Sequence, residues 1–129
     1  MLEVYIDGAS AGNPGPSGIG IFIKGEGQHV KISEPIGNTN NHQAEFTALL
    51  RGLEEALKIG SSFVSVRSDS KIVVSSIDKA YVKNEDFKPY LEQALSLIEQ
   101  FDLFFIKWIP EKENKAADVL AREAILKNN

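Results

Sequence analysis

The chain contains no cysteine, which excludes a disulfide framework and any thiolate-held metal. It has two histidines. Neither His29 nor His42 stands in a zinc-ligand or Ser-His-Asp spacing, so zinc and triad chemistry are poor fits. No apolar stretch approaches the roughly twenty residues that span a bilayer, so no membrane partner is expected. The first residues, MLEVYID, lack the basic start and long apolar run of a signal peptide, and a cytoplasmic location is expected. There is no Walker A string, internal repeat, low-complexity tract or linker. Positive charge is also scarce: 14 basic against 18 acidic residues leave a net charge of -4. That argues against a protein that clings to nucleic acid through bulk positive charge. It leaves room for an enzyme that meets nucleic acid at a local site bridged by metal ions.

What is present is an ordinary globular composition, 43% hydrophobic and 25% charged over 129 residues. This is the size of one domain covering residues 1–129, expected to be monomeric. Residues 2–6 read as a β-strand stopped by Asp7-Gly8, and residues 8–18 as a Gly/Pro/Ser/Asn loop. Residues 19–24 and 28–34 read as strands joined by a tight Gly25-Glu26-Gly27 turn, with His29 facing solvent. A polar loop, GNTNN, follows. From His42 to Ile59 the period becomes helical, with Ala44, Ala48, Leu49, Leu53, Ala56 and Leu57 on one face. Asn41 reads as its N-cap and Gly60 as its C′ residue. Residues 63–67 are a short strand, 70–79 a short helix and 86–101 a longer one. Residues 103–109 are an apolar strand with Trp108 in the core and Lys107 outward, and residues 114–127 are the last helix. The order β-β-β-α-β-α-α-β-α predicts an antiparallel meander followed by parallel crossovers. The fold class is therefore α/β, a mixed five-stranded sheet flanked by helices.

Four acidic residues stand in distinctive strings: Asp7 in YIDGASAGNPGP, Glu45 in NHQAEFTALL, Asp69 in VRSDSKIVV and Asp118 in ENKAADVLAREA. Singly, each has a bland account. Asp7 suits a turn and Asp69 an N-cap. Glu45 and Asp118 suit the positive ends of helices, and Asp118 could pair with Arg122 at i+4. Together they place acids at two strand ends and two helix starts, and parallel strands would bring Asp7 and Asp69 to one carboxyl edge, where open α/β sheets hold ligands. Carboxylates gathered this way need a cation, which is the signature of Mg²⁺-dependent phosphoryl transfer. The loop GASAGNPGPSG could cradle a phosphate with its backbone N–H groups. It makes a weak dinucleotide fingerprint, because it opens a strand and not a helix.

In this order and spacing the strings resemble the type-1 ribonuclease H family over nearly the whole chain. The last motif is similar to that of a short plant, archaeal and bacterial subgroup, Trp-x-Pro-Arg-Glu-x-Asn-x-x-Ala-Asp-x-Leu-Ala, through Trp108, Pro110, Asn114, Ala117, Asp118, Leu120 and Ala121. The resemblance implies a ribonuclease H-like fold and an endonuclease that cuts the RNA strand of an RNA/DNA hybrid, leaving 5′-phosphate and 3′-hydroxyl ends. It implies two Mg²⁺ ions, with Mn²⁺ as a substitute. Asp7 would bridge both ions, Glu45 and Asp69 would complete one shell, and Asp118 the other. It implies that Ser10, Asn13, Asn41, His42 and Ser70 contact substrate. The chain departs from the family in four places. The loop before the last helix is PEKE and carries no histidine. His42 stands where the family has a second Asn, and Glu111 where the subgroup has Arg. Residues 78–92 hold three Lys against four acids and no Trp, so weak, salt-sensitive substrate binding is expected. The alternative left open is a weakly active or non-catalytic hybrid-binding relative. An exonuclease or integrase-like domain fits less well with the Asn-Pro-Gly loop and the Glu in the first main helix.

Overall fold

The computed structural model describes residues 1–128. Strands β1 (Leu2–Ser10), β2 (Gly15–Gly25) and β3 (Gln28–Thr39) are followed by helix α1 (Asn41–Ile59), strand β4 (Phe63–Ser68) and helix α2 (Lys71–Lys79). Helix α3 (Lys88–Ile98), entered through a 3₁₀ turn at Glu85–Phe87, leads to strand β5 (Leu103–Trp108). A second 3₁₀ turn, Glu111–Glu113, precedes helix α4 (Lys115–Ile125). The sheet order is β3-β2-β1-β4-β5. β1, β2 and β3 pair antiparallel, and β4 joins β1 and β5 in parallel. The predicted mixed five-stranded sheet is therefore present, with β3 and β5 as its edges. No described helix is long and apolar enough to cross a membrane.

The two faces of the sheet follow the period-2 alternation of the strands. Leu2, Val4, Ile6, Ile19, Ile21, Ile23, Val64 and Val66 are buried on one face together with the apolar stripe of α1. Fully burying each such side chain is worth about 1.5–3 kcal/mol, so this layer dominates the fold's stability. α1 is capped as a helix should be, but by Asn40 and not Asn41: the Asn40 side chain accepts from the Gln43 N–H. At its other end Gly60 takes the left-handed conformation at φ 88°, as expected for a C′ glycine.

Three further expectations change. Residues 8–18 are mostly strand, because β1 and β2 stay paired to Ser10↔Ser17 and leave only residues 11–14 as the turn. Gly8 and Gly18 mimic a loop in sequence yet serve close packing of α1 and α4. β3 likewise runs on to Thr39 through residues that read as a polar loop, since Gly15↔Thr39 is still paired with β2. Trp108 is 42% exposed and not core. It ends an edge strand and lies under Lys71, whose Nζ is 5.3 Å from the ring centroid. Its indole N–H donates to the Asp69 carbonyl at 3.1 Å.

Candidate active site

The parallel ladder between β1 and β4 runs from Leu2↔Val64 to Ile6↔Ser68. Asp7 and Asp69 are the next residues on each strand, so both emerge at the carboxyl edge of that ladder. Asp7 is not in a turn, since it pairs with Gly20 inside the β1–β2 hairpin. Nor does Asp69 cap α2. Ser70 does so, its hydroxyl accepting from the Val73 N–H at 3.3 Å. Neither bland role belongs to them, and both carboxylates border a cleft at that edge.

Two glycines bring the other acids there. A Cβ on Gly20 would lie 2.0 Å from the Ala117 carbonyl oxygen, and a Cβ on Gly8 2.3 Å from the Ala44 carbonyl carbon. No side chain fits either place, so only glycine lets the first turn of α4 cross β2 and the first turn of α1 cross β1. Asp118 and Glu45 ride on those turns. Asn114 locks the junction: its amide donates to the Ile6 carbonyl at 2.9 Å and to Asp69 Oδ2 at 3.1 Å, while its own carbonyl accepts from the Asp118 N–H at 3.0 Å. One buried side chain and its backbone thereby tie together the positions of three acids.

The result is an open cleft of about 470 Å³ bordered by Asp7, Glu45, Asp69 and Asp118, with Ser10 and Asn41 at its rim. Ser70 is buried beside Glu45. Asn13 and His42 line an adjoining groove of about 470 Å³. The Asn13 side chain accepts from the Asn41 N–H at 3.3 Å, fastening the β1–β2 turn to the start of α1. His42 faces Glu45, with Nδ1 and Oε1 3.1 Å apart. Five participants were not assigned to the site by sequence: Gly8, Gly20, Asn114, and the cleft-lining Glu111 and Arg122. Arg122 does hold Asp118 at 3.1 Å, as the i+4 spacing suggests. Glu111 was legible only as a departure from a motif.

Electrostatically the cleft is under load. The Asp7 carboxyl is pushed up to about 9 by burial, then by the charge of Asp69, by Asp118 beside it and by Glu45. Glu45 is raised by burial, opposed by the hydrogen bond and charge of His42 and by the Ser70 hydroxyl. Asp69 is raised by burial, held down by the Asn114 amide and raised further by Glu111 and Asp118. Such a cluster keeps a proton or takes up a cation.

A family model described as reverse transcriptase-like matches residues 5–124. The chain is 44% identical over 129 residues to a putative hydrolase, EbsB, of Enterococcus faecalis, covering 98% of this chain and 96% of that protein. The crystal structure of ribonuclease H1 from the archaeon Halobacterium salinarum superposes with a TM-score of 0.91 at 36% identity, covering 98% of both chains. The chain belongs to the ribonuclease H family. A further family member, a ribonuclease H1 isolated from compost, has been solved in complex with an RNA/DNA hybrid; it matches at a TM-score of 0.90 and 35% identity over 98% of both chains.

The donors present suit the divalent ions that ribonucleases H use. They are all carboxylate oxygens, the ligands of hard cations, with none of the nitrogen and sulfur typical of zinc. Among the described residues no three acids are already closed up in a metal-holding arrangement. The cleft fits such an ion by the chemistry of its donors and by the negative charge it gathers.

Proposed function

We propose that residues 1–129 act as a single ribonuclease H-like domain that hydrolyses the RNA strand of RNA/DNA hybrids with divalent metal ions, Mg²⁺ or Mn²⁺, leaving 5′-phosphate and 3′-hydroxyl ends. The observation that carries this reading is the convergence of Asp7, Glu45, Asp69 and Asp118 from four different elements on one cleft. The ions, when bound, supply Lewis-acid activation of water and neutralise charge on the leaving oxygen. Asp7, the most buried of the four and the one flanked by the other three, would be the central ligand, with Glu45, Asp69 and Asp118 completing the set that would hold the ions. Asn114 and Trp108 keep Asp69 and its backbone in place. Ser10, Asn13, Asn41, His42 and Ser70 contact or orient the substrate around this cleft.

The second strand has a place to lie. A groove of about 660 Å³ runs from His42 along Ser75, Lys79, Tyr81 and Lys83 to Phe87. Lys79 and Lys83 line it, whereas the acids of the same stretch do not. A count of charges over residues 78–92 therefore understates the attraction available to a phosphate backbone. The runner-up, a hybrid binder with little turnover, is favoured by one feature: Glu111 adds a fifth carboxylate to the cleft. Labelled RNA/DNA hybrid, single-stranded RNA and duplex DNA, each with Mg²⁺ and then Mn²⁺, decide between them. Cleavage confined to the hybrid and abolished in Asp7→Asn is expected. Hybrid binding without metal-dependent cleavage selects the runner-up.

A further inference from the structure

Behind the acids, the sheet face opposite α1 carries a row that only the strand register reveals. Lys31 pairs with Phe22, Phe22 with Tyr5, Tyr5 with Arg67 and Arg67 with Lys107, one residue from every strand from edge to edge. Tyr5 and Arg67 lie two residues before Asp7 and Asp69, hence on the same face and about 7 Å behind them. α4 covers this face only further along, where it packs on Gly18 and Gly20. The neighbouring row adds Lys24 and Phe105, which is 50% exposed. Four cations here meet one carboxylate, Glu3, in a protein of net charge -4.

The rings and cations are organised. Tyr5 and Phe22 have centroids 5.9 Å apart. Lys24 Nζ and the Arg67 guanidinium carbon lie 5.5 Å and 5.4 Å from the Tyr5 centroid. Arg67 is held in place by Glu3, by the Tyr5 hydroxyl at 2.9 Å and by the Ser65 hydroxyl at 3.1 Å. That leaves Lys24, Lys31 and Lys107 exposed and without an ion-pair partner among the described residues.

We propose that this open sheet face binds single-stranded RNA, with bases stacked on Phe105, Phe22 and the Arg67 plane and phosphates on Lys24, Lys31 and Lys107. Charge complementarity selects the occupant. A second copy of the chain, meeting this face by two-fold symmetry, would set lysines against lysines. Aromatic rings interleaved with cations on a sheet are the chemistry of single-strand platforms, which stack about two or three bases. Four strand-to-strand steps of about 4.8 Å give the row the width for that number. The choice of RNA over DNA rests on the reaction proposed above, whose cut strand leaves single-stranded. None of its residues lines the cleft.

The test is fluorescence anisotropy of a labelled 12-residue oligo(U), with oligo(dT) alongside, on the full chain in EDTA across a salt series. Oligo(U) is expected to bind with a log–log salt slope of roughly -2, from about 0.7 per phosphate for three lysines. Lys107→Gln should flatten that slope by about 0.7. Adding Phe105→Ala should weaken binding by about tenfold, as loss of one stacked base does. Both positions are exposed, and circular dichroism melts check that the variants fold. Absence of oligo(U) binding, or binding that neither variant alters, overturns the proposal. So does tighter binding of oligo(dT), or a dimer in sedimentation velocity that Phe105→Ala dissociates. Mg²⁺-dependent cleavage of a blunt hybrid is measured in parallel and should be unchanged in both variants. Its loss in the wild-type protein, with oligo(U) still bound, would sink the nuclease reading and leave the platform standing as a polynucleotide site.

Discussion

Replacing Asp7 by Asn should make the metal-free protein more stable while removing its capacity for metal-dependent chemistry. The Asp7 carboxyl moves from 3.8 to about 9 on folding. A raised carboxyl means the folded state holds a proton that the unfolded state gives up. The associated stability is complete below pH 3.8 and drains away as the pH climbs through about 9. At pH 7 the full linkage amounts to at most about 4 kcal/mol, at roughly 1.4 kcal/mol per pH unit. The cleft is open to water and the strain is shared among coupled carboxylates, so about 1–2 kcal/mol is expected in practice. For a chain of this size that is roughly 4–8 °C in Tm. Asn keeps the shape and has no proton to lose, so the gap between variant and wild type should widen from pH 5 to pH 9. Mg²⁺ should reverse the order, since an ion at 100 times its Kd stabilises the folded state by about 2.7 kcal/mol and the variant lacks its central ligand. Thermal melts of both proteins at several pH values, in EDTA and in Mg²⁺, read all three effects. If Asp7→Asn melts lower at every pH and responds to Mg²⁺ like the wild type, Asp7 is a structural residue and the cluster argument fails.

Gly20→Ala should drive a methyl group into the Ala117 carbonyl, 2.0 Å from the ideal Cβ position. Because the obstacle is backbone, the cost should sit at the upper end of the overpacking range, about 3 kcal/mol in urea melts, and the displaced Asp118 should cut hybrid cleavage by about 10²-fold; wild-type values for both would show that α4 yields freely. Asn114→Ala should leave the buried Ile6 carbonyl without its amide and destabilise by about 1–3 kcal/mol. It also removes the hydrogen bond that holds Asp69 down, so the acidic limb of the pH–rate profile should move to higher pH, and an unmoved limb would mean Asn114 matters for folding alone.

The sequence alone determined the element order and the identity of the acids. Hydrophobic period separates strands from helices wherever an element is long enough to show two turns or two pleats, as in α1 with Ala44, Leu49, Leu53 and Ala56. The acids were legible because each sits in a string whose composition survives without neighbours. Local rules failed where two readings share the same residues. Asn40 and Asn41 are equally good caps, and only the path of β3 into α1 chooses Asn40. Gly8 and Gly18 look like loop, yet they are strand positions emptied of side chains so that α1 and α4 can approach. Tertiary structure alone decided the rest, because sheet order and register are long-range facts. Placing β5 at an edge exposes Trp108 and Phe105, which hydropathy alone would bury. Pairing β4 with β1 brings Asp69 beside Asp7 across 62 positions of chain. The same pairing aligns Lys31, Phe22, Tyr5, Arg67 and Lys107, residues with no pattern in the chain, because adjacency across a sheet depends on which strands pair and not on which residues follow one another.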